Sequence, residues 1–365
     1  MISDLLAEGE DGHRMVTGGQ RAYNLATMHE STAATFSAAT DERFVLHSVT
    51  QSIADFGEDV RHGFTQSPKW LLARWLYDDL GSALFDAICH LPEYYVTRAE
   101  AEILSARAVE IATALGRDIR LIELGSGSAR KTRILLDAIT ARQSQLEYVP
   151  VDIDAGMLEK TGRDLINEYN GLRVTAVRAD FTRPAEALKG LLGGRDRNVV
   201  LFLGSTIGNL DPISAATLLR DIRGVLRRGD ALFLGADLRK PAEILIPAYD
   251  DALRVTAAFN LNLLVRINRE LGGHFALEHF AHCARWNETD SRIEMHLESR
   301  IAQTVHIDAL DLDVTFAAGE TIHTESSYKY DRATLEVLAT QAGFAIEQVW
   351  TDAGGRFADV LMSVS

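Results

Sequence analysis

From Phe56 to Leu91, apolar residues recur at three- and four-residue spacings: Trp70, Leu71, Trp75, Leu76, Leu80, Leu84, Phe85 and Ile88. This pattern predicts amphipathic helix up to a break at Pro92, and Thr97 with Glu100 three residues on predicts a capping box for the next helix. From Ile119 the rhythm changes. Short apolar runs, RLIEL, YVPVDI, RVTAVRAD, VVLFLGS and ALFLGADL, alternate with helical stretches starting near Arg130, Ala155 and Pro212, with one short helix before the fourth run. Apolar strands separated by helices predict right-handed βαβ units and a parallel sheet covered on both faces. After Leu238 the pattern predicts one long helix from about Glu243 to Leu271, then a hairpin over CARWNETDSRIEMHLESR and further strands toward TIHTESSYKY. A helix from about Arg332 to Gly343 and strands AIEQVWTD and ADVLMSV close the chain. Two closing strands after a fifth parallel one complete a seven-stranded α/β sheet. That gives a sheet domain of residues 99–238 and 330–365 with an inserted α+β part of residues 46–98 and 239–329. Residues 1–45, weakly periodic, read as a poorly ordered extension.

Composition narrows the function. The 365 residues are 47% hydrophobic and carry a formal net charge of −15, which disfavours nucleic acid or an anionic membrane as partner and points to small-molecule work. Only Cys89 and Cys283 are present, so neither a disulfide framework nor a C-x-x-C site is suggested. The first residues have no apolar core like that of a secretory signal, and no apolar stretch approaches the ~18 residues of a membrane span. A cytoplasmic location is expected.

Candidate chemistry starts at LIELGSGSARKT, residues 121–132. A P-loop and a dinucleotide fingerprint both require a glycine where Arg130 stands. A third reading is S-adenosylmethionine, which has no phosphate and needs a close backbone approach at Gly125 and Gly127, with Lys131 near enough to attract its carboxylate. The bland alternative is a tight turn beside a solvated lysine. Asp152, 27 residues after Gly125 at the end of the second strand, suits ribose hydroxyls of this cofactor or of NAD. Asp180 and Phe181 end the third strand and suit an adenine amino group and ring, so acids close three successive strands. In GSTIGNLDP, Asn209 is either a turn residue serving the helix start at Asp211 and Pro212, or an amide that aims an amine at a methyl group. His274, His279 and His282 cluster, but no carboxylate stands at metal-ligand spacing, and no metal is expected.

Taken together, WLYDDLGSALFDAICHLPEYYVTRAE, LIELGSGSARKT, FLGSTIGNL, AYDDALRVTAAFN, RIEMHL and FAAGETIHTESSYKY resemble the histidine-specific methyltransferases that form hercynine for ergothioneine biosynthesis. The resemblance runs from about Leu46 to the last residues. It implies a class I, Rossmann-like methyltransferase domain with a substrate domain, S-adenosylmethionine as cofactor, and trimethylation of the α-amine of free L-histidine by a monomer. It implies further that Tyr94 and Tyr249 hold the substrate carboxylate, that Asn209 assisted by Tyr77 orients the amine, and that Glu325 and Ser327 recognise the imidazole between Phe85 and Met295. Transfer is an in-line displacement on the sulfonium methyl, so catalysis should come mainly from positioning a neutral amine.

If Glu325 and Ser327 lie on an extended segment, the period of two puts both on one face. An ionised Glu325 then accepts from one ring N–H while the Ser327 hydroxyl donates to the other nitrogen. Three rivals remain. One is a methyltransferase for another aromatic amino acid such as tryptophan, against which Glu325 argues; the others are a non-catalytic S-adenosylmethionine-binding module and an oxidoreductase.

Overall fold

The computed structural model describes residues 42–49, 55–188, 190–192 and 197–364. Most of the predicted N-terminal extension, residues 1–41, lies outside them. In chain order the strands are β1 (Phe44–Ser48), β2 (Lys69–Trp70), β3 (Ile119–Leu124), β4 (Leu146–Asp152), β5 (Leu172–Arg178), β6 (Arg197–Phe202) and β7 (Ala231–Asp237). They continue as β8 (Phe280–Asn287), β9 (Arg292–Ser299), β10 (Gln303–Ile307), β11 (Leu312–Phe316), β12 (Thr321–Tyr328), β13 (Phe344–Thr351) and β14 (Phe357–Val364).

The large sheet has the order β1-β5-β4-β3-β6-β7-β14-β13, parallel except for the last two strands. It has eight strands rather than seven because β1 adds to the edge beside β5. Gly162 makes room for it, since a Cβ there would stand 2.4 Å from the Phe44 ring. Strand order reverses between β3 and β6, and ligands of such sheets bind outside the carboxyl ends at that switch point. Every residue of β3 and β7 is buried, because helices cover both faces. One core gathers Leu121, Tyr148, Val174 and Leu201, and the other Ile122, Val149, Val177 and Val200, as the strand period of two requires.

Helix starts follow local chemistry. Asp154 accepts from Met157 N (2.9 Å), and Asp211, with Pro212 next, accepts from Ile213 N and Ser214 N (2.9 and 3.1 Å). Three predicted elements differ from those observed. The helical pattern before Pro92 is two helices, Phe56–Phe64 and Asp79–Ile88, with β2 and a 3₁₀ turn between them; Asp78 restarts the second by accepting from Gly81 N (2.8 Å). The predicted helix over 243–271 is Ala242–Tyr249 and Val255–Leu271. The backbone turns at Arg254 (φ 63°), and Asp251 caps the new start by accepting from Val255 N and Thr256 N (3.0 and 2.7 Å). Finally, the helix after Pro92 starts at Tyr95 without a side-chain cap, and Glu100 is buried inside it.

A second sheet, β2-β12-β9-β8, and a ribbon, β10-β11, come from residues 69–70 and 280–328. β12 returns to the large sheet where Tyr330 N donates to Asp237 O (2.9 Å) and Arg239 N to Tyr330 O (2.7 Å). The carboxyl ends of β7 and β12 therefore meet. No described helix is long and apolar enough to cross a membrane.

Candidate active site

At the switch point, β3 runs into Gly125 (φ 71°) and Gly127 (φ 48°), and Gly125 N donates to Val151 O of β4 (2.8 Å). Asp152 stabilises this turn by accepting from Gly127 N (3.0 Å) and from Asp154 N (3.1 Å). Burial raises its carboxyl above the ordinary range, although those bonds pull the other way. A Cβ on Gly125 would lie 3.6 Å from the Phe181 ring, while one on Gly127 would meet nothing. The glycine turn, Asp152 and Phe181 thus face one space, and exposed Ile153 lies next to Asp152. Asp180 accepts from the amide and hydroxyl of Thr182 (2.9 and 2.7 Å), which fixes the turn that carries Phe181.

The acid at the end of β3 does not belong to this set. Glu123 is enclosed by Thr132 Oγ1 (2.7 Å) and Tyr148 Oη (2.5 Å), and burial pushes its carboxyl up to about 7. Glu123 therefore stands apart from Asp152 and Asp180. Lys131 is also less free than its position in the sequence suggests, because its ammonium bonds to Glu100. That carboxylate also accepts from Gly204 N (2.8 and 3.1 Å), so Glu100 and Lys131 link the turns after β3 and β6.

Near the carboxyl end of β7 lies an aromatic cluster that walls the candidate substrate pocket. Tyr77 and Phe85 meet edge to face with centroids 5.5 Å apart, Phe85 and Tyr94 at 6.2 Å, and Tyr94 and Tyr249 at 6.1 Å. Phe259, which the sequence reading missed, packs on Tyr77 at 5.5 Å. Burial pushes the phenols of Tyr77 and Tyr94 well above their usual range, with added repulsion from Glu325, so both are neutral donors.

Glu325 and Ser327 reach this pocket through an irregularity. The pairing of β12 with β9 shifts between His323 and Glu325, so buried positions pass from Ile322 before the bulge, through Thr324 within it, to Glu325 and Ser327 after it. His323 and Ser326, three apart, consequently share a face and hydrogen-bond (3.0 Å). Glu325 pairs with Met295 of β9, which places Met295 beside it. Its Oε2 is buried and has no hydrogen-bond partner among the described residues, and burial, eased by Lys329, raises the carboxyl to about 7. A buried carboxylate oxygen without a donor is costly, so Glu325 is open to an N–H donor.

Asn209 ends the 3₁₀ turn Thr206–Asn209 after β6. Gly208 abuts β12 so closely that a Cβ there would stand 2.9 Å from Tyr328 O, which brings the asparagine next to the strand bearing Ser327. The three histidines do not act together. His282 is buried between Asn260 (2.9 Å) and Tyr249 O (2.8 Å) and thereby supports the pocket wall, whereas exposed His274 pairs with Asp308 (2.9 Å). Among the described residues no group of three or more His, Cys, Asp or Glu is placed to hold a metal.

Two buried charges escaped the sequence reading. Lys329 bonds to Asp237, Tyr249 and Ser327. Both had a signal: Lys329 stands two after Ser327 on a strand, and Asp237 ends the fifth parallel strand as Asp152 ends the second.

Residues 56–364 match the family described as histidine-specific, S-adenosylmethionine-dependent methyltransferases. The chain is 47% identical over 299 residues to the histidine N-alpha-methyltransferase of Mycolicibacterium smegmatis, covering 82% of this chain and 92% of that one. It is 34% identical over 203 residues to ergothioneine biosynthesis protein 1 of Schizosaccharomyces pombe, covering 54% of this chain and 26% of that much longer one. It is 28% identical over 326 residues to a 4-dimethylallyltryptophan N-methyltransferase of Claviceps fusiformis, covering 84% and 91%.

Proposed function

The chain belongs to the histidine-specific, S-adenosylmethionine-dependent methyltransferase family, and from that premise we propose that it trimethylates the α-amine of free L-histidine to hercynine, the first step toward ergothioneine. The observation that carries the choice of histidine is the orphaned Glu325 Oε2 in an aromatic pocket. An imidazole brings a ring N–H to that oxygen and a second nitrogen to Ser327. An indole brings one N–H and no acceptor.

The cofactor fits the residues at the switch point. Gly125 leaves backbone exposed where a side chain would fill the space beside Phe181, and Gly127 leaves open space around the same turn. Asp152 would take the ribose, Phe181 and Asp180 the adenine, and Lys131, shared with Glu100, the methionine carboxylate. Bound S-adenosylmethionine supplies a methyl group on a cationic sulfur. The protein's own residues orient the acceptor: Tyr94 and Tyr249 serve as neutral donors to the carboxylate, and Asn209, assisted by Tyr77, holds the amine with its lone pair directed. Residues 46–98 and 239–329 form the substrate part and residues 99–238 and 330–365 the methyltransferase part, β1 excepted. The amino acid sits where β7 and β12 meet.

The test is a methyl-transfer assay with single free amino acids. Trimethylated histidine is expected; turnover of tryptophan without histidine would replace this reading by its nearest rival, and cofactor binding with no turnover at all would leave a binding module. Asp152→Ala should weaken S-adenosylmethionine by about 1.5–3 kcal/mol, through lost hydrogen bonds to a charged acceptor. Calorimetry of a folded variant with unchanged affinity would take Asp152 out of the site.

A further inference from the structure

Lys329 has no part in the roles above, yet its surroundings define one. Its side chain and that of Asp237 are wholly buried, with Nζ 2.9 Å from Asp237 Oδ2. The other two N–H groups go to Tyr249 Oη and Ser327 Oγ, each at 2.7 Å. Burial works against this ammonium, but the Asp237 carboxylate offsets it and holds the pKa above the ordinary value.

An ammonium has three donors and no acceptor. Both hydroxyls therefore accept from Lys329, and they also lie 2.8 Å from each other, a contact that uses one of their two protons. One hydroxyl proton remains. Its direction follows from the same count: when Ser327 donates to Tyr249, the phenol oxygen is saturated and its own proton must turn to the pocket, and the reverse arrangement turns out the serine proton.

Resting on the proposed histidine reading, we propose that Lys329 is a positioning residue of the amino-acid site. Pinned by Asp237, it makes Tyr249 and Ser327 a coupled pair that offers a single proton to the substrate. While the two hydroxyls stay bonded to each other only one of them can donate to the substrate, so donation by Tyr249 to the carboxylate and by Ser327 to the imidazole together requires their mutual bond to open. Tyr94 and Tyr77 supply the other donors.

Lys329→Met keeps the length of the side chain and removes its donors. Asp237 retains Lys240 Nζ at 2.5 Å and Tyr95 Oη at 2.7 Å, so its charge stays paired. The Michaelis constant for histidine should rise on the order of 10–100-fold, with a smaller change in kcat and unchanged calorimetric affinity for S-adenosylhomocysteine. Tyr249→Phe should raise the constant in the wild-type background but add less than about threefold on top of Lys329→Met, since the hydroxyl is no longer held. If the single variant does not fold, Lys329→Met/Asp237→Asn carries the same cycle. Absence of histidine turnover in the wild-type enzyme would defeat the proposed function itself. Wild-type turnover with an unchanged constant in Lys329→Met, or additive effects in the cycle, would overturn the role of Lys329 alone.

Discussion

Glu325→Ala is expected to lower kcat/KM for histidine by on the order of 10²-fold or more, while activity toward tryptophan falls less or rises. A site built to hydrogen-bond a substrate group rejects an analogue lacking that group more strongly than an apolar pocket does, because its own polar atom is then left buried and unpaired. Glu325 Oε2 is such an atom. Removing it abolishes the reward for a ring N–H held so that the second imidazole nitrogen meets Ser327, which an indole cannot match, and Met295→Val, at the paired position on β9, should enlarge the site further in favour of the indole. The measurement is a competition between histidine and tryptophan at fixed cofactor, read by the masses of the betaines. Equal preference in wild type and Glu325→Ala would place imidazole recognition elsewhere.

The same carboxyl predicts a proton signature. Burial raises it to about 7, so near neutral pH the free protein holds part of this carboxyl protonated. A ring N–H at Oε2 favours the charged form and lowers the pKa, so binding of histidine should release a fraction of a proton there. Calorimetry in buffers of different ionisation enthalpy should show more release for wild type than for Glu325→Gln, a difference that cancels the contribution of the substrate amine. It should shrink above pH 8, where the carboxyl is already ionised.

The βαβ core was legible because it is written in local pattern: apolar runs of strand length, and helix starts at Asp154 and Asp211 whose caps need only neighbours in sequence. What was missed depends on groups far apart in the chain. Glu100 looked like a capping residue because its partners, Lys131 and Gly204, are 31 and 104 residues away. Glu123 looked like a ligand acid because Tyr148, which encloses it, comes from the neighbouring strand. The pairing of Glu325 with Ser327 was legible from a period of two, but their inward direction was not. Without the bulge after His323 the buried face would continue from Ile322 and Thr324 to Ser326, and both side chains would point away. Lys329 stayed unread because a lysine ordinarily means a solvated face, and only Asp237, brought in by the bridge between β7 and β12, makes its burial tolerable.

Asn209→Ala should lower kcat by on the order of 10²-fold, with partly methylated histidine accumulating. The expectation rests on how firmly the turn bearing Asn209 is held. Gly204 N is tied to Glu100, Ser205 stands in the left-handed region (φ 57°) with its hydroxyl accepting from Asp237 N (2.9 Å), and Tyr330 Oη donates to Ile207 O (3.3 Å). Gly208 abuts Tyr328. A helix, β7 and the end of β12 thus fix one short turn, and a non-glycine residue in the left-handed region persists only where its surroundings over-determine it. Such rigidity matters most for a reaction limited by geometry, where a misplacement of about 1 Å can cost 10²-fold. An amide oxygen at the end of this turn can accept from a neutral amine carrying one or no methyl group while that amine rotates between transfers; alanine cannot. The monomethylated amine keeps a single N–H, so the second transfer should suffer more than the first. A time course followed by mass spectrometry should show mono- and dimethylhistidine preceding the trimethylated product, with calorimetric affinity for S-adenosylhomocysteine unchanged. Wild-type turnover giving trimethylated product alone would return Asn209 to the plainer role of a turn residue in front of Asp211.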